Sequence, residues 1–559
     1  MLKSILILLF CYIVLSCKKS DSSQGGGDIT PLISLTDSQV SANPFQYAFR
    51  VASGSSLTNL KYHWDFGNGE QKDGQANELV NYADNKTYHV TVTVTNGNAP
   101  PAKASLDIST FITVIHSDSS IKFQTIDGFG GFGAQSEWWS NGPFTSPAFI
   151  NDIANDLGAT IVRDEIPTNF EMVNDNDDPY NTDLSKYNIC NPVNGSHQTL
   201  GAHFQFLKDA KAAGINKFIT AVWSPPAWMK TNNNTNGVAA ATPVYSANPD
   251  TGNNQLKKED YEEFAEMCVA YVRIVKQQTG IDIYAINVQN EPRFSEPYES
   301  CVYDGPAYRD LVKKVGERFK SEGLTTLIFA PEDIGYLGGV QSMVQPLLDD
   351  PVSRNYTNII AVHGYALDGL TANSPDAQTW QAMYSWGAQY GKPLWMTETS
   401  GYSNDWKGAM DLSKAMYTAL KQGNVSAWLF WTFSTQNLDA YSLMSSAGVK
   451  SKRYYTSKNF YRWIRPGAVR FSLESAGGDG DKIYPLAFYN PVSHSTSIVL
   501  INDNTGNTVI KLSGTGLPET FEIYLTSSDG KNNCADKGVV HSSENIVIPP
   551  GSVTTLVSQ

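Results

Sequence analysis

Cysteine is scarce in this chain of 559 residues: there are six, of which Cys11 and Cys17 fall in an N-terminal apolar stretch. The other four, Cys190, Cys268, Cys301 and Cys534, are spaced too widely for a zinc or thiol-redox motif. A bridge such as Cys190 to Cys301 is open in an oxidising compartment, but sequence cannot set the pairing. No metal site and no cofactor are expected. Basic charge is also short, 41 Lys and Arg against 55 Asp and Glu for a net charge of −14. With no basic block to neutralise phosphate, a nucleic-acid partner or an anionic membrane surface is excluded. Long hydrophobic runs are missing too. The N-terminal one, Ile5 to Leu15, is too short for a spanning helix of about 20 residues. A nucleotide loop is lacking for a subtler reason. Gly128, Gly130 and Gly133 in "IDGFGGFGAQSEWW" spell G-x-G-x-x-G, yet loop residues follow where the fingerprint needs an amphipathic helix.

What is present begins with the leader. "MLKSILILLFCYIVLSC" resembles a bacterial lipoprotein signal, with Val14-Leu15-Ser16-Cys17 as the lipobox. The resemblance implies an acylated Cys17 and a protein anchored through lipid to the cell envelope. An ordinary cleaved signal is the alternative. "KKSDSSQGGGD" then reads as a flexible tether, residues 18–31. Aromatic residues are plentiful, 12 Trp, 28 Tyr and 24 Phe. They suit cores, and they also suit sugar rings, whose C–H faces pack on flat side chains.

Three folded regions follow, so the fold class is multidomain. Over residues 32–116, short alternating runs such as "TYHVTVTVTN" between Gly, Asn and Asp turns predict a β-sandwich. "YHWDFGNG", Tyr62 to Gly69, resembles the signature of polycystic-kidney-disease-type (PKD) immunoglobulin-like domains, with Trp64 in the inter-sheet core. Such modules act as spacers more often than as sugar binders. Over 117–462, eight apolar strand runs alternate with seven or eight helices, the pattern of a (β/α)8 TIM barrel. Over 463–559 the short-strand rhythm returns without a linker. This predicts a β-sandwich side domain packed on the barrel and completed by a strand from about 119–126.

In such a barrel, polar residues at strand C-terminal ends face the active site. Strand four, "YAINVQNEP", reaches Glu291, and strand seven, "PLWMTETS", reaches Glu398. Either Glu alone could simply cap a strand or pair with an Arg. Two carboxylates facing across a cleft are the equipment for glycoside hydrolysis, one donating a proton and the other attacking. The charge of an ionised Glu398 would then disfavour ionisation of Glu291.

Together with "QTIDGFGGFG", "WSPPAWMKTNN", "VQNEP", "LWMTE" and "SKRYYTSKNFYRWIRPGAVR", the pair resembles the retaining glycosidases of clan A, and within them glycoside hydrolase family 30. The motifs span about 350 residues. The resemblance implies Glu291 as acid/base, Glu398 as nucleophile and Asn290 as the partner of the sugar 2-hydroxyl. It also implies sugar-contacting Trp228, Tyr365 and Trp431. Trp138 and Trp139, after the first strand, suggest another subsite by position. His363 and Arg163, on strands six and two, are expected to orient the carboxylates.

The xylanase branch carries the same Ser-Lys-Arg and Arg-Pro-Gly elements. Its glucuronoxylan-specific members place an arginine just after strand eight, where "FWTFSTQNLDAYSLM" has no Lys or Arg before Lys450. Arg293 could substitute, though a structural surface role is the plainer reading. The expected function is therefore an endo-acting xylanase, monomeric, with relaxed side-group demands on its polysaccharide partner. A β-1,6-glucanase and an inactive glycan-binding lipoprotein are the alternatives.

Overall fold

The computed structural model describes residues 33–558, apart from 41–42, 54–57, 84–85, 134–145, 191–199, 238–243, 246–253, 367–368, 372 and 477–481. The leader, the tether, Cys17, Trp138 and Trp139 lie outside the described residues. Among the described residues no helix is long and apolar enough to cross a membrane.

The chain divides into two compact units at Thr110 and Phe111. In the first, strands Ile33–Val40, Asn43–Ser53 and Asn77–Asn81 form one sheet, and Gln71–Gly74, Lys61–Asp65, Thr87–Thr95 and Ala102–Ser109 form the other. Strand alternation produces the core: Tyr88, Val90, Val92 and Val94 turn inward while His89, Thr91 and Thr93 turn away. Trp64 is fully buried and stacks on Phe66 at 5.5 Å, with Phe49 of the opposite sheet 6.0 Å away. Gly67 turns the chain at φ +72°, where a Cβ would come within 2.6 Å of the His89 carbonyl.

The second unit is built on a closed parallel barrel of eight strands: β1 Gly128–Phe132, β2 Ile161–Ile166, β3 Lys217–Val222, β4 Ala285–Asn287, β5 Leu327–Ile334, β6 Thr357–His363, β7 Leu394–Glu398 and β8 Ala427–Phe430. The strand runs read as continuous apolar stretches because helices cover the outside while side chains fill the inside. Ile161, Ile219, Phe329, Ile359, Trp395 and Leu429 belong to that inner cluster. The glycines of β1 answer a packing demand. A Cβ on Gly130 would lie 1.9 Å from the Ile161 carbonyl oxygen of β2, so only glycine lets the two strands approach.

Beside the barrel, a nine-stranded sheet runs in the order Asn533–His541, Thr520–Ser527, Ser552–Val557, Ser495–Asn502, Ile483–Asn490, Val469–Ala476, Ile112–Thr125, Thr508–Gly514 and Asn545–Ile548. It encloses its own core, which includes Ile115, Phe471, Leu500, Leu512, Phe521 and Leu556. Strand Ile112–Thr125 is thus the central link, antiparallel to Val469–Ala476 and parallel to Thr508–Gly514.

Helix Lys452–Tyr461 ties this sheet to the barrel. Asn459 Nδ2 donates to Thr555 Oγ1 at 2.9 Å, while Lys458 and the Tyr454 hydroxyl both reach Asp156. Burial opposes the Asp156 charge, but hydrogen bonds from Lys458, Tyr454 and Lys450 prevail and hold its carboxyl at about 2. The four cysteines beyond the leader are free, with Cys190 exposed and Cys301 buried, so the bridge left open by the sequence is not formed.

Candidate active site

Strand ends deliver the charged groups. Arg163 stands in β2 and is fully buried, lying over the Trp223 ring at 4.7 Å. Its guanidinium donates to Glu398 Oε2 (2.8 Å), to Asn290 Oδ1 (2.8 Å) and to both oxygens of Glu332 (2.7 and 3.0 Å). His363 closes β6, with Nδ1 3.0 Å from Glu291 Oε1 and Nε2 3.3 Å from Glu332 Oε1. The Tyr365 hydroxyl donates to Glu398 Oε1. One oxygen each of Glu291 and Glu398 and one ring nitrogen of His363 lie within 4.8 Å of one another. The two carboxyls and their orienting cations therefore share a single buried cluster.

Glu398 ends β7, as its strand run predicts. Glu291 does not end a strand. The β4 ladder stops at Asn287, and the chain turns through Gln289, whose amide donates to the carbonyls of Trp223 and Asn290. Glu291 is reached at φ +45°, a left-handed conformation that a side chain tolerates only when its surroundings hold it. One such restraint is its own N–H, which donates to the Glu332 carbonyl at 2.9 Å.

Glu332, in β5 with φ +58°, is the residue that sequence reasoning missed. The signal was there in "LIFAPED", a carboxylate closing an apolar strand run, but no second motif singled it out. It is fully buried. Burial would raise its carboxyl, yet the charges of Arg163 and His363 and their hydrogen bonds hold it below the ordinary range. For His363 burial opposes the charged form, and Glu398, Glu291 and Glu332 overcome that, pushing the imidazole up to about 10. Sequence reasoning left Glu398 as the readily ionised partner. In the structure burial moves its carboxyl upward, against the downward pull of His363, Arg163 and the Tyr365 hydroxyl.

The aromatic candidates divide. Trp431 follows β8 directly, stacks on Phe132 at 4.1 Å and lies 6.0 Å from Trp223, so it is continuous with the rings around Arg163. Trp228, in the turn Ala227–Met229 after β3, is half-buried, and its indole N–H donates to the Glu171 carbonyl at 3.0 Å. Tyr365 touches the carboxyl pair through its hydroxyl. Arg293 is neither a surface residue nor a free cation. It is 6% exposed, paired with Asp333, and donates to the Ile334 carbonyl at 2.8 Å.

The Cellulase (glycosyl hydrolase family 5) model matches residues 124–437, more than half of the chain. The chain belongs to these clan A glycoside hydrolases. The PKD domain model matches residues 33–109. Glucuronoxylanase XynC of Bacillus subtilis (strain 168) is 27% identical over 345 residues, covering 60% of this hydrolase and 72% of the relative. Endo-1,6-beta-D-glucanase of Neurospora crassa is 25% identical over 312 residues, 51% of this chain and 58% of its own. The solved glycoside hydrolase family 30 subfamily 8 xylanase Xyn30A of Clostridium acetobutylicum superposes with a TM-score of 0.61 at 24% identity, covering 79% of this hydrolase and 99% of that chain. The family 30 resemblance and the expected fold class are borne out.

Proposed function

We propose that the chain is a retaining endo-1,4-β-xylanase in which Glu398 is the nucleophile and Glu291 the acid/base. The observation that carries the mechanism is the approach of Glu291 and Glu398 to within 4.8 Å. Retaining enzymes hold their carboxyls about 5–5.5 Å apart, whereas inverting ones leave about 6.5–9.5 Å for a water. Glu398 accepts from Arg163 and Tyr365, which orient it and favour its anion against the upward push of burial. Three carboxyls, Glu291, Glu332 and Glu398, surround two cations, Arg163 and His363. Glu291, which accepts only from His363 among these groups, takes the acid/base role.

In the reaction Glu398 attacks the anomeric carbon as Glu291 protonates the departing oxygen. Water, deprotonated by Glu291, then releases the sugar with net retention. Asn290, fixed through its Oδ1 to Arg163, keeps its amide nitrogen for the sugar 2-hydroxyl. Trp431 and Trp228 supply ring faces for neighbouring sugars.

The xylan backbone is favoured because glucuronoxylanases and family 30 xylanases stand among the relatives. Relaxed side-group demands are supported by how the Lys and Arg residues after the strand-four and strand-eight loops are engaged. Lys450 bonds Asp152 at 2.8 Å and Asp156 at 3.0 Å, Arg453 donates to the Tyr402 and Ser442 carbonyls, and Arg293 is paired with Asp333. None of the three is left for a uronate, whose burial without a cation is unfavourable. The second reading, a β-1,6-glucanase, rests on the Neurospora relative. Acylation at Cys17 would hold the enzyme at the cell envelope, where polysaccharide is met, and loss of membrane association in Cys17→Ala checks it.

Product analysis on glucuronoxylan, arabinoxylan and β-1,6-glucan, beside a Glu398→Gln control, tests the substrate. Xylo-oligosaccharides from both xylans are expected. Release from the glucan alone overturns the substrate, and release from glucuronoxylan alone overturns the relaxed demand.

A further inference from the structure

Behind the loop that follows β2 lies a second group of buried carboxylates, outside the site described above. Glu171 and Asp175 come from that loop, and Glu263 and Glu266, one turn apart, from the first half of helix Tyr261–Thr279. Glu171 and Glu266 are 0% exposed, and both oxygens of each lack a hydrogen-bond partner among the described residues. One oxygen each of Glu263, Asp175 and the Asn174 amide is likewise buried and unpartnered, as is the neighbouring Tyr187 hydroxyl, which makes eight oxygens in this region. Asp175, Glu263 and Glu266 bring oxygens within 4.8 Å of one another, and Glu171 is close enough to be repelled by all three.

Among the described residues a single cation, Arg318, faces this charge, and it offsets it only in part. Arg318 faces Glu266 from helix Gly305–Ser321, but its ion pair is with Glu322 at 3.0 Å and its guanidinium lies on Tyr180. Thr182 stands beside Glu266, and Asn174 beside Glu263, without a well-aligned hydrogen bond to the oxygens in question. The second Asp175 oxygen accepts from the Asp183 N–H at 2.6 Å. Buried carboxyls this close together are either held neutral by burial and mutual repulsion, which push Glu171 and Glu266 upward, or matched by a cation.

We propose that Glu171, Asp175, Glu263 and Glu266 hold a calcium ion. An all-oxygen donor set excludes metals that favour nitrogen or sulfur, and Ca2+ takes about six to eight oxygens in adaptable geometry. Mg2+ demands a near-ideal octahedron and keeps several waters, which a set of carboxylates on a loop and a helix does not offer. The ion joins the loop after β2 to the helix after β3. Because the Glu171 carbonyl also receives the Trp228 indole N–H, it fixes the platform of that ring as well. The proposal is independent of which polysaccharide the enzyme cuts.

The test is a thermal melt of the full chain in EGTA and in Ca2+, beside a Glu263→Gln/Glu266→Gln double variant. Wild-type protein is expected to melt several degrees higher in Ca2+, and the variant at the same temperature in both. In EGTA the variant is expected to melt above wild type, since it has lost the repulsion. A wild-type melt indifferent to Ca2+, or a Ca2+ shift that persists in the variant, overturns the proposal. Should the double variant fail to fold, Tb3+ luminescence of wild type decides. Emission sensitised by Tyr187 or Trp228 and displaced by Ca2+, but weakened in Asp175→Asn, supports the site. Absence of emission, or emission unchanged in Asp175→Asn, overturns it.

Discussion

The two groups of buried carboxylates in this barrel are treated in opposite ways. At the barrel mouth, Glu291, Glu332 and Glu398 are interleaved with Arg163 and His363 on strands β2 and β6, and Arg163 alone makes four hydrogen bonds to carboxylate and amide oxygens. Behind the β2 loop, Glu171, Asp175, Glu263 and Glu266 have no cation bonded to them among the described residues. The difference teaches where the fold needs rigidity. Carboxyls that must meet a sugar in a fixed pose are held by cations built into barrel strands, with their own hydrogen-bond geometry. A group on a loop and a helix is left to an exchangeable ion, which can pull the two elements together.

The largest effect that can break this comparison lies in the reacting pair. Glu398→Gln is expected to lower kcat on xylan by on the order of 10^4-fold or more. Glu291→Gln should lose about 10^2–10^4-fold. On an aryl xyloside whose leaving group needs no proton, Glu291→Gln should recover most of the first step while Glu398→Gln does not. Equal losses on both substrates would remove the distinction between the two roles.

Next comes Arg163→Met, which strands Glu332 and Glu398 in a buried site. Urea denaturation should show a loss of about 3–5 kcal/mol, with less from Glu332→Gln, which leaves Arg163 its bonds to Glu398 and Asn290. A variant as stable as wild type would show that these carboxyls are not held as the contacts imply.

The pH dependence sharpens the point. His363 is pushed up to about 10 in the folded protein from an ordinary 6.5. Its contribution to stability is therefore fully present below about pH 6.5 and is lost as pH rises through about 10. Melting temperature should decline over that window, and more steeply in wild type than in His363→Asn. Parallel profiles would mean that the imidazole does not carry the charge.

The smallest effect links the two regions. Trp228→Phe keeps an aromatic face but loses the bond to Glu171, a neutral hydrogen bond of about 0.5–1.5 kcal/mol. A few-fold rise in KM for xylan with kcat kept is expected, and a fall in kcat with KM unchanged would point to the chemistry instead.

Much of this was legible in sequence because it was written in periodicity. Continuous apolar runs marked the barrel strands, and alternation marked the PKD-like sandwich. Glu398 was legible because it ends its strand run. Glu291 was found through "NEP", although the ladder stops at Asn287 and a left-handed turn, which periodicity cannot register, carries the chain to it. Glu332 was passed over because its role depends on Arg163, 169 residues away, and no local pattern encodes such a pairing. The acidic group behind β2 stayed hidden for the same reason: "EMVNDNDD" reads as a solvated loop until the helix bearing Glu263 and Glu266 is packed against it. Arg293 looked like a surface residue because its partner Asp333 arrives from β5.

The most direct measurement is peptide mapping by mass spectrometry after incubation with a 2-deoxy-2-fluoro-xylobioside carrying an activated leaving group. The account predicts one fluoroxylobiosyl group per chain, esterified to Glu398. A label on Glu291 or Glu332, or turnover of xylan with an inverted first product and no label at all, would contradict it.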